Sequence, residues 1–115
     1  MTGYIVIVSG TIPEVTEVRV YDQALDHVKQ RHPEVPIELP SLSYALEKAI
    51  SDPSHVETSR TGHYTYVHAG MTNYSGDPLR VVVKVIQETS ARMQTAYFAS
   101  RTGTSFNIVW TRDKS

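Results

Sequence analysis

A chain of 115 residues, 40% hydrophobic and 20% charged, has the length of one domain and the composition of a folded rather than a disordered one. It contains no cysteine, which excludes a disulfide framework, a cysteine-ligated zinc finger and a thiol nucleophile. The net charge of −1 is too small for a protein that coats nucleic acid by bulk charge, but residues 1–57 hold nine acids against four Lys/Arg and residues 58–115 three against seven, an asymmetry that predicts a basic face on a neutral body.

The first eight residues lack a charged leader and their apolar run is short, so they do not read as a signal peptide. No apolar run approaches a membrane span, and the expectation is a cytoplasmic protein without membrane partners. Residues 4–8 are β-branched, residues 9–13 read as a turn, and residues 15–20 alternate imperfectly, which predicts a hairpin. From Asp22 the period becomes helical, with Ala24, Leu25 and Val28 on one stripe and Asp22 as N-cap. Pro33 pushes His32 out of the helical region, so this helix stops near Arg31. The prolines in residues 33–40 predict an extended connector. Ser41 then caps a second helix whose apolar positions Leu42, Ala45, Leu46, Ala49 and Ile50 face a core, and Asp52-Pro53 ends it.

The remainder reads as a β-meander. Short strands are expected at residues 55–59 and 63–68, followed by a polar loop at 70–78. The strongest strand, residues 79–87, carries four valines. A tight turn leads to a strand at residues 92–99, and a last strand covers residues 106–110. Helices followed by strands imply an α+β fold with a largely antiparallel sheet.

Two regions carry groups suited to chemistry. In Asp26-His27-Val28-Lys29-Gln30-Arg31-His32-Pro33-Glu34, His27 and Arg31 share a helix face, and His32 follows where the helix breaks. A helix C-terminus favours the histidine cation, which suits an acid catalyst. On the valine-rich strand Arg80, Val82 and Lys84 point away from the core set Leu79, Val81, Val83 and Val85, with Arg92 nearby across the turn. On the next strand Thr95 and Tyr97 share a face, but which face of that strand meets the core stays open. Each group also has a structural reading: packing histidines, a solvated sheet face with edge-protecting charges, or strand-forming Thr and Tyr. His63 and His68 fall on opposite faces of a strand and do not suit one metal. Neither a metal nor a cofactor is expected.

The segment His27-Val28-Lys29-Gln30-Arg31-His32-Pro33-Glu34 resembles the HI-x-x-RHPE signature of phage-associated nuclease domains in the barnase/EndoU/colicin/RelE-like superfamily. The helix ending at Asp52-Pro53, the run Leu79-Arg80-Val81-Val82-Val83-Lys84, the segment Thr95-Ala96-Tyr97-Phe98 and Trp110 follow in a similar order, so the resemblance covers about residues 15–110. It implies one domain over residues 1–115. In that domain an N-terminal hairpin or strand precedes two helices packed on a four-stranded antiparallel β-meander. It implies a metal-independent endoribonuclease, with RNA as substrate and a cognate inhibitor protein as a second partner. The near-neutral balance departs from the strongly basic one usual in such toxins.

On this reading His27 and His32 transfer protons as an RNA 2′-hydroxyl attacks the adjacent phosphorus. Arg60 and Lys84 stabilise the extra charge, and Thr95 and Tyr97 hold the phosphate or orient a histidine. Arg31, Arg80, Arg92 and Arg101 bind substrate. The competing readings are a non-catalytic protein- or nucleic-acid-binding module on a decayed nuclease fold, and a phage structural or assembly protein.

Overall fold

Alternating apolar residues fold the N-terminus into a hairpin. In the computed structural model, which describes residues 3–100 and 107–112, β1 (Tyr4–Ile12) pairs antiparallel with β2 (Val15–Tyr21), placing Ile7 opposite Val18 and Tyr4 opposite Tyr21. β1 continues through the residues expected to turn. A register shift between Val8 and Ile12 lets the ladder resume at Ile12 and Val15, so the chain reverses at Pro13-Glu14.

Helix α1 (Asp22–Arg31) follows directly, with Tyr21 rather than Asp22 at its N-cap. Asp22 lies in the first turn, where a carboxylate favours the helix dipole, and its Oδ2 accepts from the Gly3 amide. The helix ends before Pro33, as the steric rule requires. The expected extended connector is instead a short helix, α2 (Glu34–Glu38). Pro33 already has helical dihedrals, and Pro36 falls in the first turn, where its missing N–H has no intrahelical partner to lose. Burial of Val35 anchors this turn. α3 (Leu42–Ser51) buries Leu42, Ala45, Leu46, Ala49 and Ile50.

Five strands follow: β3 (His55–Arg60), β4 (His63–Thr72), β5 (Pro78–Gln87), β6 (Ser90–Phe98) and β7 (Asn107–Thr111). β4 runs further than its sequence suggests. Its loop tightens at Asn73, whose Oδ1 accepts from the amides of Ser75 and Asp77.

The seven strands among the described residues form one sheet in the order β1-β2-β6-β5-β4-β3-β7. This corrects the expected two helices on a four-stranded antiparallel meander. The N-terminal hairpin joins the meander through a parallel pairing of β2 with β6, with Val18 opposite Ala91 and Arg19 opposite Arg92. β7 extends the opposite edge beside β3, and a third helix is present. No local pattern encodes the parallel pair, whose partners are distant in sequence. It is reinforced by the Thr16 amide donating to the Thr89 carbonyl at 2.9 Å and by a 2.8 Å hydroxyl contact between the same residues.

The sheet curls. Ser9 on β1 donates to the Tyr66 hydroxyl on β4 at 3.1 Å, although four strand spacings, about 19 Å in a flat sheet, separate these strands. The inner face carries Ile7, Val18, Ala91, Val83, Tyr66 and Val56, all buried, and α3 packs against it at β1, β4 and β5. Alternation along β6 breaks at a register shift that places Met93 opposite Val83 but Thr95 opposite Val82. This β-bulge settles the open face assignment: Ala91 and Met93 before it, and Ala96 after it, are all buried, while Thr95 and Tyr97 lie on the outer face with Val82 and Arg80.

Part of that outer face is also buried. Arg80 Nη1 donates to Glu57 Oε1 at 2.8 Å, while its Nε and Nη2 donate to the carbonyls of Ala99 and Ser100. His55 Nε2 lies 2.7 Å from Glu57 Oε2. Burial pushes the Glu57 carboxyl up, but the hydrogen bonds from His55 and Arg80, with the Arg80 charge, outweigh it and hold the group below its ordinary value. A carboxyl with a lowered folded pKa stabilises the fold above its unfolded pKa, and that stability is lost as pH falls through the folded value. Glu57→Gln should therefore lower stability at neutral pH by about 3 kcal/mol, since it strands a buried guanidinium. It should also flatten the acid limb of a urea-unfolding series. An acid limb as steep as that of the unaltered protein would show that Glu57 is not the group titrating there.

Candidate functional site

The β2–β6 ladder stops at Arg19 and Arg92, and α1 starts three residues later, packing against both strands. Its stripe buries Val28 in the core, which leaves the adjacent His27 exposed on the other side. His27 lines an open cavity of about 520 Å³ together with Tyr21, Gln23, Ala24, Arg92, Met93 and Gln94. The His27 and His32 ring centroids are 6.1 Å apart, edge to face. The His32 ring packs 5.6 Å from that of Tyr97, and its Nδ1 lies 3.7 Å from Glu34 Oε2. Three rings therefore run from the cavity wall to a half-buried phenol. Burial raises the Tyr97 pKa, with the Arg80 charge opposing and Glu57 reinforcing the shift, so this hydroxyl keeps its proton and can donate it in a hydrogen bond at neutral pH.

The outer face carries a second feature. Reading across the registers, Arg19 on β2 stands opposite Arg92 on β6, Arg92 opposite Lys84 on β5, Lys84 opposite His63 on β4, and His63 opposite Arg60 on β3. Residues directly opposed in a ladder project to the same side. Five adjacent strands thus contribute one basic side chain each to a single transverse row. At the far end Arg60 lies along the His63 ring, with Nε 3.2 Å from Nδ1 and Nη2 3.1 Å from Nε2. At the near end the Arg19 guanidinium sits 5.5 Å from the centroid of the Tyr4 ring, and Tyr4 packs on Tyr21 at 5.0 Å.

The expected site residues do not all meet. His27, His32 and Tyr97 come together, Arg92 lines the same cavity as His27, and Lys84 stands opposite Arg92 on β5. Arg60 faces the same way but is three strand spacings from Arg92, about 14 Å, so it does not reach the histidines. Arg31 is exposed on the last turn of α1. Arg80 is 3% exposed and committed to Glu57 and two carbonyls, which removes it from substrate binding. The Thr95 hydroxyl is buried without a hydrogen-bond partner among the described residues, so it is not presented to a phosphate. Arg101 lies outside the described residues. Sequence reasoning missed Arg19, Tyr21 and Gln94, and weighed His63 only as a metal ligand, a role it rejected. The break in alternation around Gln94 was the available signal for the bulge; the row itself exists only in the register.

No protein-family model matches the chain, and comparison with curated proteins and with solved structures gives no match.

An unsatisfied buried hydroxyl costs about 1–3 kcal/mol. Thr95→Val, which keeps the shape and removes the oxygen, should leave stability unchanged or raise it by about 1 kcal/mol in chemical denaturation. A loss of that size instead would reveal a partner for the hydroxyl.

Proposed function

We propose that this chain is a metal-independent endoribonuclease whose reaction centre is the His27–His32 pair at the wall of the α1–β6 cavity. The observation that carries this reading is the pair of imidazoles, 6.1 Å apart, beside a cavity that also presents Arg92 and Gln94. Among the described residues that line the cavity, His27 supplies a group for proton transfer and Arg92 supplies positive charge.

In the reaction, His27 takes the proton from a ribose 2′-hydroxyl and that oxygen bonds to the adjacent phosphorus. The bond from phosphorus to the 5′-oxygen breaks, and protonated His32 gives its proton to the leaving oxygen. The products are a 2′,3′-cyclic phosphate and a free 5′-hydroxyl. Arg92, at the cavity, and Lys84, on the next strand, offset the charge that accumulates on the non-bridging oxygens. Tyr97 is a positioning residue: its ring holds that of His32.

A second reading, a non-catalytic binding module, is favoured by one observation. Arg80, expected to bind substrate, is buried against Glu57, and the Thr95 hydroxyl, expected at the phosphate, is buried as well. The two readings separate on turnover. Purified protein should cleave unstructured RNA in EDTA and leave cyclic phosphate ends. His27→Ala should slow cleavage by about 10²–10⁴-fold, while His68→Ala, remote from the pair, should retain the wild-type rate. RNA bound but left intact at high protein concentration would favour the binding module, and equal rates in both variants would remove His27 from the chemistry.

A further inference from the structure

The transverse row extends well beyond the reaction centre. From Arg19 to Arg60 it crosses four strand spacings, about 19 Å, and of its members Arg92 lines the cavity. Like charges set directly opposite one another in a sheet destabilise it. The row keeps them nonetheless: Arg60, Lys84 and Arg92 are exposed and form no ion pair among the described residues. The nearest carboxylate in the row's own ladder is Glu17, whose Oε2 is 3.6 Å from Arg19 Nε and accepts from Ser90 at 2.9 Å. Glu57, a second outer-face carboxylate, is buried under Arg80. A linear basic array, three of whose cations have no ion-pair partner among the described residues, along a solvent-facing surface matches a linear polyanion.

Two aromatic rings indicate which kind of polyanion. Tyr4, 47% exposed, lies beneath Arg19 and against Tyr21, which lines the histidine cavity. A phosphate track flanked by an accessible aromatic platform is the arrangement that holds unpaired bases, because each base can stack while its backbone follows the cations. Bases in a duplex are already stacked on their neighbours and cannot use it.

From this we infer that the row Arg19–Arg92–Lys84–His63–Arg60 is the track for a single-stranded polynucleotide backbone, with a base stacked on Tyr4 at the cavity end. This rests on the nuclease reading for the identity of the strand as RNA. It adds that phosphates on the far side of the cleaved linkage lie across β5, β4 and β3, so longer substrates are held better than dinucleotides. The backbone chemistry is shared by RNA and DNA, and the ribose is read only where its hydroxyl attacks.

The test is binding of a fluorescent 2′-O-methyl oligouridylate, the matching DNA strand and a duplex, followed by anisotropy across a salt series. The 2′-O-methyl strand has no attacking hydroxyl, so binding is read independently of cleavage. Four Lys/Arg contacts predict a slope of log affinity against log salt of about −2.8 for single strands. The exposed double variant Arg60→Ala/Lys84→Ala should halve it to about −1.4. Arg60→Gln/Lys84→Gln provides the same reading should the first variant fold poorly, and Lys48→Gln, on α3, should keep the full slope. Both single strands should bind more tightly than the duplex, and Tyr4→Ala should weaken single-strand binding while leaving the slope intact. An unchanged slope in both double variants, or a preference for duplex, overturns the track. A wild-type protein that binds with the full slope but cleaves no RNA supports the track and fails the nuclease proposal alone.

Discussion

The short parallel pairing between β2 and β6 is the constraint on which the arrangement of this molecule depends. Three residue pairs, Glu17 with Ser90, Val18 with Ala91 and Arg19 with Arg92, join the N-terminal hairpin to the C-terminal strands. Parallel pairs are somewhat weaker per residue than antiparallel ones. Here the ladder is supported by the Thr16–Thr89 contacts at one end and by the burial of Val18 and Ala91 beneath it. Its brevity matters as much as its existence. Because the two strands part after Arg92, α1 can pack against both, and that places His27 in the gap beside Arg92. A longer ladder would close the gap and exclude the helix.

Charge on the outer face is handled in two opposite ways along one strand, β5. Around Arg80 it is neutralised and dehydrated: one carboxylate and two carbonyls accept from the guanidinium, and His55 completes the carboxylate's shell. Two same-face positions further along β5, Lys84 is exposed between two further basic residues on the neighbouring strands. The first arrangement is what a buried charge needs in order to be tolerated at all. The second works against the folded state, and under the proposed single-strand track its members are offset by the ligand's phosphates rather than by packing.

Much of the local structure was legible in the residues. Pro33 ended α1 where the steric rule placed the stop, and the stripe from Leu42 to Ile50 identified the inward side of α3. The valine run of β5 separated Arg80 and Lys84 from the core, and the motif around His27 and His32 singled out the end of the helix that meets Tyr97. Long-range pairing was not legible. The same alternation that forms β2 is compatible with an edge hairpin or an interior strand, and only the partner strand decides. Arg80 shows the same limit at one residue. Its face was correctly read, but the groups that bury it come from Glu57, Ala99 and Ser100, and no pattern local to β5 announces them. α2 was misread because prolines argue equally for an extended segment and for a first helical turn.

The β6 bulge connects these levels. Had β6 kept strict alternation after Met93, Thr95 and Tyr97 would point into the core, leaving Ala96 and Phe98 outside. Tyr97 could not then meet His32. One extra residue, Gln94, turns the second half of the strand over and itself faces the cavity beside His27. A bulge weakens a ladder locally, so a single residue out of step needs a compensating gain. Here the two halves of the strand serve different purposes. Before the bulge, β6 contributes Arg92 to the cationic row. After it, the strand supplies the ring that holds the end of α1 against the sheet, so the row and the histidine pair are joined by the irregularity that separates them in register.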